Sequence, residues 1–218
     1  GNMPPRNVAL SEDELEIMFD VFSESPNKVP ESTYIGFTLL VILGLRKMRL
    51  FSAKWTDVDF KRQYFHLYED NTKTKISLAV PIPIDVRPLF HRVKALSKGS
   101  DYVFPARKKN SRGYIFDDTV NHTLADLFGK VINKKQPSKN VLGQAGVCDF
   151  VVHDLRRTCR TLMASLGIRE EVAEKYLNHN PSNIVRIYNR YEYKQERKEA
   201  HEKVAKLILP MTSFTVKE

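Results

Sequence analysis

Residues 151–193 read VVHDLRRTCRTLMASLGIREEVAEKYLNHNPSNIVRIYNRYEY, and their reading decides the fold. The pattern predicts a helix, a short break, a second helix, a turn and a third helix. In the first helix Leu155, Cys159, Leu162 and Leu166 recur at the spacing of a stripe that packs inward. His153 and Arg156, three residues apart, share a face near its start. Unpaired N–H groups and the positive end of the helix dipole favour an anion there. Arg supplies a planar fork of donors that matches phosphate oxygens. Taken alone, with Arg157 and Arg160 beside them, the same residues would equally make a solvated basic helix start. A second amphipathic helix is expected over Glu170–Asn178, with Val172, Ala173, Tyr176 and Leu177 as its apolar members. The run Asn178-His179-Asn180-Pro181 stops it and leaves His179 in a turn. After Ile184, Val185 and Ile187 comes Tyr188, nine residues beyond His179. Phosphoryl transfer through a covalent tyrosine needs these residue types.

Composition points the same way. The 218 residues can bury a sizeable core as one domain or at most two small ones. Lys and Arg number 35 against 26 Asp and Glu, a formal charge of +9 and a pI near 9.5. That balance suits a polyanion, nucleic acid first and an acidic membrane second. Two cysteines, Cys148 and Cys159, make neither a disulfide framework nor a four-cysteine zinc site, as expected of a protein in a reducing cytoplasm. No apolar run approaches the roughly 18 residues of a membrane span, and no signal peptide is visible.

Taken from the N-terminus, residues 1–10 read as an extended linker, with Gly1-Asn2 ahead of Met3 as a possible remnant of expression. Ser11 and Glu14 form a capping box for a helix with Leu15, Met18, Phe19 and Phe22 on its apolar face. Thr33–Leu43 is apolar enough to be the central helix, ending at Gly44. Trp55 and Phe60 read as core, Asp57 and Asp59 as turn or cap residues rather than a metal-binding pair. From Gln63 to Pro83 the apolar period becomes two, predicting strands around Tyr64, Phe65, Leu67 and Tyr68 and around Ile76, Leu78, Val80 and Ile82. Residues 70–75 would be the hairpin tip. Helices follow over Asp85–Leu96 and Asp117–Ile132, with a short buried segment at 102–105. Between Pro105 and Asn140 stand eight basic residues and three acidic ones. The loops Arg107–Arg112 and Lys134–Lys139 are therefore candidate phosphate-backbone contacts, through Arg107, Lys108, Lys109, Arg112, Lys134 and Lys135. A charged helix is expected over Lys194–Leu209.

The phrases HDLRRT and LNH, with a tyrosine nine residues after the second histidine, resemble the tyrosine recombinase (phage integrase) family. YNRYEY before a charged helix is similar to its satellite-phage and genomic-island branch. Asn178 stands where the family has glycine, a change a helix C-cap tolerates. A second block, GLRKMRLFSAKWTDVDF, resembles the segment holding the family's first catalytic arginine, here Arg46. It departs from the family pattern at Arg49, which replaces a carboxylate that helps position the basic groups.

The resemblance implies a mainly α fold with a small antiparallel β-sheet, the catalytic domain of a DNA breaking-rejoining enzyme. That domain would be residues 11–193, with 194–218 a C-terminal helix and tail able to pack on a neighbouring protomer. It implies that Tyr188 attacks the scissile phosphate to give a 3′-phosphotyrosine, integrating or excising a mobile element. Arg46 and Arg156 would clamp the non-bridging oxygens and His179 would bond the phosphate. His153 would assist proton transfer, and Lys73, with Lys75 as fallback, would protonate the leaving oxygen. Tyr191 is the second choice of nucleophile, while Tyr176 reads as core. No cofactor, ATP or metal is implied. The implied partners are double-stranded DNA and three further copies on it, the isolated domain being compatible with a monomer. The family's separate N-terminal DNA-gripping domain would lie outside this chain. Two alternatives share these residues: a type IB topoisomerase-like enzyme and a catalytically impaired DNA-binding relative.

Overall fold

A computed structural model describes residues 8–67, 78–108, 111–131, 138–177 and 192–214. Helix α1 (Glu12–Glu24) begins as its sequence predicts. Ser11 Oγ accepts the Glu14 N–H at 3.1 Å, and Glu14 accepts the Ser11 N–H at 2.9 Å. Its four predicted apolar residues are all buried, with Phe22 edge-on to Phe37 at 5.1 Å. Phe37 belongs to α2 (Glu31–Leu43), in which every residue from Thr33 to Leu43 is buried. A helix apolar all round has no solvent face to keep, so it takes the centre.

After the short α3 (Lys47–Phe51), strands β1 (Val58–Asp59), β2 (Tyr64–Leu67) and β3 (Leu78–Pro81) form one antiparallel sheet in sequential order. The register pairs Val58 with Phe65 and Phe65 with Val80. Phe65 and Val80 are fully buried while Tyr64, His66 and Ala79 are half-buried, the alternation of a sheet with one face on the core. β1 was not anticipated: its two residues are too few to show a period. Asp57 and Asp59 serve as caps, accepting the N–H groups of Lys54 and Arg62 at 2.9 Å.

Among the described residues the remaining α-helices are α4 (Arg87–Leu96), α5 (Asp117–Leu127), α6 (Val141–Gln144), α7 (Asp154–Ser165), α8 (Glu170–Tyr176) and α9 (Lys194–Ile208). α5 stops five residues short of the predicted Ile132. Gly129 takes φ 67°, its N–H bonds Asp126 O, and the Lys130 N–H bonds Ala125 O, a Schellman end that closes the helix. A Cβ at Gly129 would lie 2.7 Å from the Ser138 carbonyl oxygen, so the stop was written in the glycine and not in the lysines beyond it.

Two terminal segments are docked more firmly than a linker and a tail would be. Leu10 is buried and its N–H donates to Thr158 Oγ1 of α7 at 3.0 Å. At the other end α9 buries Ala200, Val204, Ala205 and Ile208 on its own chain, and Arg197 donates to the Ala79 carbonyl at 2.8 Å. Phe214 packs on Tyr34 with ring centres 4.5 Å apart. Residues 194–214 thus complete the core in cis. Among the described residues no helix is long and apolar enough to cross a membrane.

Candidate active site

The start of α7 is closed by a buried carboxylate. Asp154 accepts the Val151 N–H at 2.8 Å, and its own N–H returns to Val151 O at 2.8 Å. Its other oxygen holds Arg157 at 2.5 Å. This loop leaves His153 at the N-cap, exposed, with Arg156 one turn further on. Asp154 carries no signal in the sequence, where an Asp in a basic helix start is ordinary. Only its complete burial shows that it fixes the turn.

Arg156 points inward. Its guanidinium donates to the carbonyls of Gly44, just after α2, and of Leu177, just after α8. Burial first, and the charge of Arg46 second, bring its pKa down to about 10, so it stays a cation at neutral pH. The expected open, basic helix start is therefore half right: His153 is on the surface and Arg156 is anchored beneath it.

Gly44 explains how these elements meet. It takes φ 59°, and a Cβ there would lie 2.6 Å from Leu177 Cδ2 and 3.2 Å from both Cys159 Sγ and Tyr176 Cε1. Only glycine permits both the left-handed turn and the close approach. Two residues on, Arg46 emerges exposed at the N-cap of α3. Its charge reaches both Arg156 and His153. His153 is held below the usual imidazole range by partial burial and then by Arg157, Arg156 and Arg46, with Asp154 opposing. A neutral imidazole is the form able to accept a proton. Cations on two sides of a neutral histidine are a setting for an anion that reacts by proton transfer.

The structure thus brings together Arg46, His153 and Arg156. His179, Tyr188, Tyr191, Lys73 and Lys75 lie outside the described residues, as do Lys109, Lys134 and Lys135. Leu177, whose carbonyl Arg156 holds, is two residues from His179. Of the loop cations, Arg107 does not join this cluster. It donates to Thr33 Oγ1 at 3.1 Å, at the opposite end of α2. Arg112 lies 5.3 Å from the Phe116 ring at the start of α5. The next residue, Asp117, holds Lys47 at 2.6 Å beside Arg46, so Arg112 is on the active-site side. Lys108 is exposed. Arg49 sits half-buried in α3. Among the described residues no group of His, Cys, Asp or Glu is placed to hold a metal ion.

The pattern of the Phage integrase family matches residues 9–195. The chain belongs to that family. The GLR turn at Gly44 and the helix holding His153 and Arg156 both fall within the matched residues. A tyrosine recombinase XerC-like protein of Caldanaerobacter subterraneus subsp. tengcongensis is 26% identical over 219 residues, covering 85% of this chain and 54% of that protein. The chain therefore spans about half the length of that relative. Among solved structures, an integrase from mycobacterium phage Brujita superposes with a TM-score of 0.65 at 16% identity, covering 98% of this chain and 65% of that one. A lambda integrase fragment, solved as a dimer bound to a COC′ core site, gives 0.59 at 18% identity over 84% of this chain and 61% of its own. The likeness to these two integrase structures is one of fold.

Proposed function

We propose that this chain is the strand-cleaving and rejoining domain of a site-specific DNA recombinase acting on double-stranded DNA. The observation that carries the reading is the convergence of Arg46, buried Arg156 and a neutral His153 next to the chain leading into His179 and Tyr188. In the proposed step the Tyr188 oxygen bonds to phosphorus as the bond to the 5′-oxygen breaks. The tyrosine proton passes toward His153, and the leaving oxygen takes one from Lys73 or Lys75. Arg46, Arg156 and His179 offset the charge that builds on the non-bridging oxygens. Attack by a 5′-hydroxyl of another strand reverses each transfer. The phosphotyrosine conserves the bond energy, so the cycle needs no ATP.

Several finer assignments rest on this reading. The lambda integrase fragment bound to its core site supports a duplex partner, and strand exchange between two duplexes calls for four copies. Arg112, Lys108, Lys109, Lys134 and Lys135 are assigned to the DNA backbone, and the protein to the cytoplasm, where its two thiols stay reduced. Arg49 in place of a carboxylate favours one second reading, a DNA-binding relative that cleaves slowly or not at all.

A nicked duplex carrying the element's junction sequence tests these. The expected outcome is a covalent protein–DNA band in the unaltered protein and in Tyr191→Phe, lost in Tyr188→Phe. DNA binding with no band in any of the three would establish the second reading. Relaxation of supercoiled plasmid without site preference would point to a topoisomerase-like activity.

A further inference from the structure

The buried side of the site contains a polar group that packing alone does not call for. Tyr176, the last residue of α8, is fully buried. Its hydroxyl donates to the Ile42 carbonyl, one of the α2 carbonyls left without an intrahelical partner. Its ring edge comes up against the Gly44 turn, where an added Cβ would lie 3.2 Å from Cε1. One face of the ring is covered by His201 of α9, stacked at 3.5 Å and within 8° of parallel. His201 Nδ1 is 2.7 Å from the Arg197 carbonyl, and its Nε2 is buried with no hydrogen-bond partner among the described residues. An apolar residue in place of His201 would cover the ring without leaving a buried ring nitrogen unpaired, which is costly in a dry interior.

What the tyrosine does that a leucine would not is lock a register. Tyr176 joins the end of α8 to Ile42, and Arg156 joins the residue after α8, Leu177, to Gly44. The two links are adjacent rungs between the same two helix ends. Arg46 follows one end by two residues and His179 follows the other by two. We infer that Tyr176 is a positioning residue for strand cleavage: pressed by His201 of α9 and bonded to Ile42, it sets where Arg46 and the chain entering His179 stand relative to Arg156. The inference rests on the cleavage reading above. It makes the seating of α9 part of the active site's geometry, although α9 supplies no reacting group.

The test uses Tyr176→Phe, which keeps the ring and removes the hydroxyl, and the pair His201→Leu and His201→Phe, the second restoring a stacked ring. Three quantities are read: the single-turnover rate of adduct formation at saturating nicked duplex, the affinity for that duplex, and amide hydrogen exchange over residues 43–46. For Tyr176→Phe the rate should fall roughly tenfold, as for one lost positioning hydrogen bond, with affinity within about twofold of the unaltered protein. Exchange at 43–46 should quicken while thermal unfolding stays a single transition. His201→Leu should share the defect and His201→Phe should recover most of the rate. Unaltered rate and exchange in Tyr176→Phe would overturn the inference, as would a lower melting temperature with no change in rate per folded molecule. If the unaltered protein forms no adduct, the cleavage reading falls, and the positioning inference is decided by the exchange at 43–46 alone.

Discussion

At its N-terminal end α2 meets charge at the surface: Glu31 pairs with Arg92, and Arg107 reaches in to donate to the buried Thr33. At its C-terminal end, roughly 16 Å further at 1.5 Å per residue, the partners are a buried guanidinium, a buried phenol and the stacked imidazole behind it. Both ends use arginine, but to different effect. An exposed ion pair contributes at most about 1 kcal/mol because water competes for both partners. A buried guanidinium is costly to desolvate, and it is stable here because backbone carbonyls take its hydrogens. The difference teaches where the fold has been made rigid. It is rigid on the side where Arg46, His153 and Arg156 converge and loosely polar on the side facing away.

The largest expected effect that could break this contrast is Gly44→Ala. The left-handed φ and the contact with Leu177 should together destabilise the fold by about 3 kcal/mol and misplace Arg46. Thermal unfolding beside the adduct assay would show it, and a stable, active variant would remove the rigid-end picture. Next, Arg156→Lys keeps the charge but not the fork. A loss of about 2 kcal/mol is expected, with cleavage lost as well, measured by urea unfolding and by adduct yield.

Acid should separate the ends further. Burial takes His201 from 6.5 down to about 3, so the folded state resists its protonation while the unfolded chain does not. Stability from this group is complete above pH 6.5 and declines as pH falls toward 3, a loss of about 2 kcal/mol by pH 5. Denaturant midpoints at pH 7 and 5 should show this drop, reduced in His201→Phe; equal drops would contradict it. The smallest effects belong to the other end. Arg92→Ala and Arg107→Ala should each change stability by less than about 1 kcal/mol. If Arg107 touches a phosphate, its removal should lower the salt slope of DNA binding by about one; an unchanged slope would leave it a purely structural residue.

Much of this was legible beforehand. The capping box at Ser11, the apolar run of α2, the period-two segment around Phe65 and the helical stripe from Leu155 to Leu162 all declare themselves through local periodicity, and each stands where it was expected. The expected helix over Asp117–Ile132 ends early at α5 because the Gly129 turn closes it, a stop that was present in the sequence. Arg107 was grouped with the DNA contacts by charge, while its docking on Thr33 depends on a neighbour 74 positions away. His201 carried no signal at all, being one histidine in a highly charged helix.

From the sequence alone came the main helices, the two hairpin strands and the basic balance, because periodicity and caps are properties of neighbouring residues; Arg46, the HxxR pair and Tyr188 were singled out by the resemblance, and Tyr188 lies outside the described residues. Only the tertiary structure decided that Arg156 turns inward to two carbonyls, that Asp154 is a buried lock and that Tyr176 is clasped between Ile42 and His201. Those facts depend on burial. Whether a charged or hydroxyl-bearing side chain is solvated or bonded to backbone is set by which distant chain ends meet over it, and the close approach at Gly44 is where they meet.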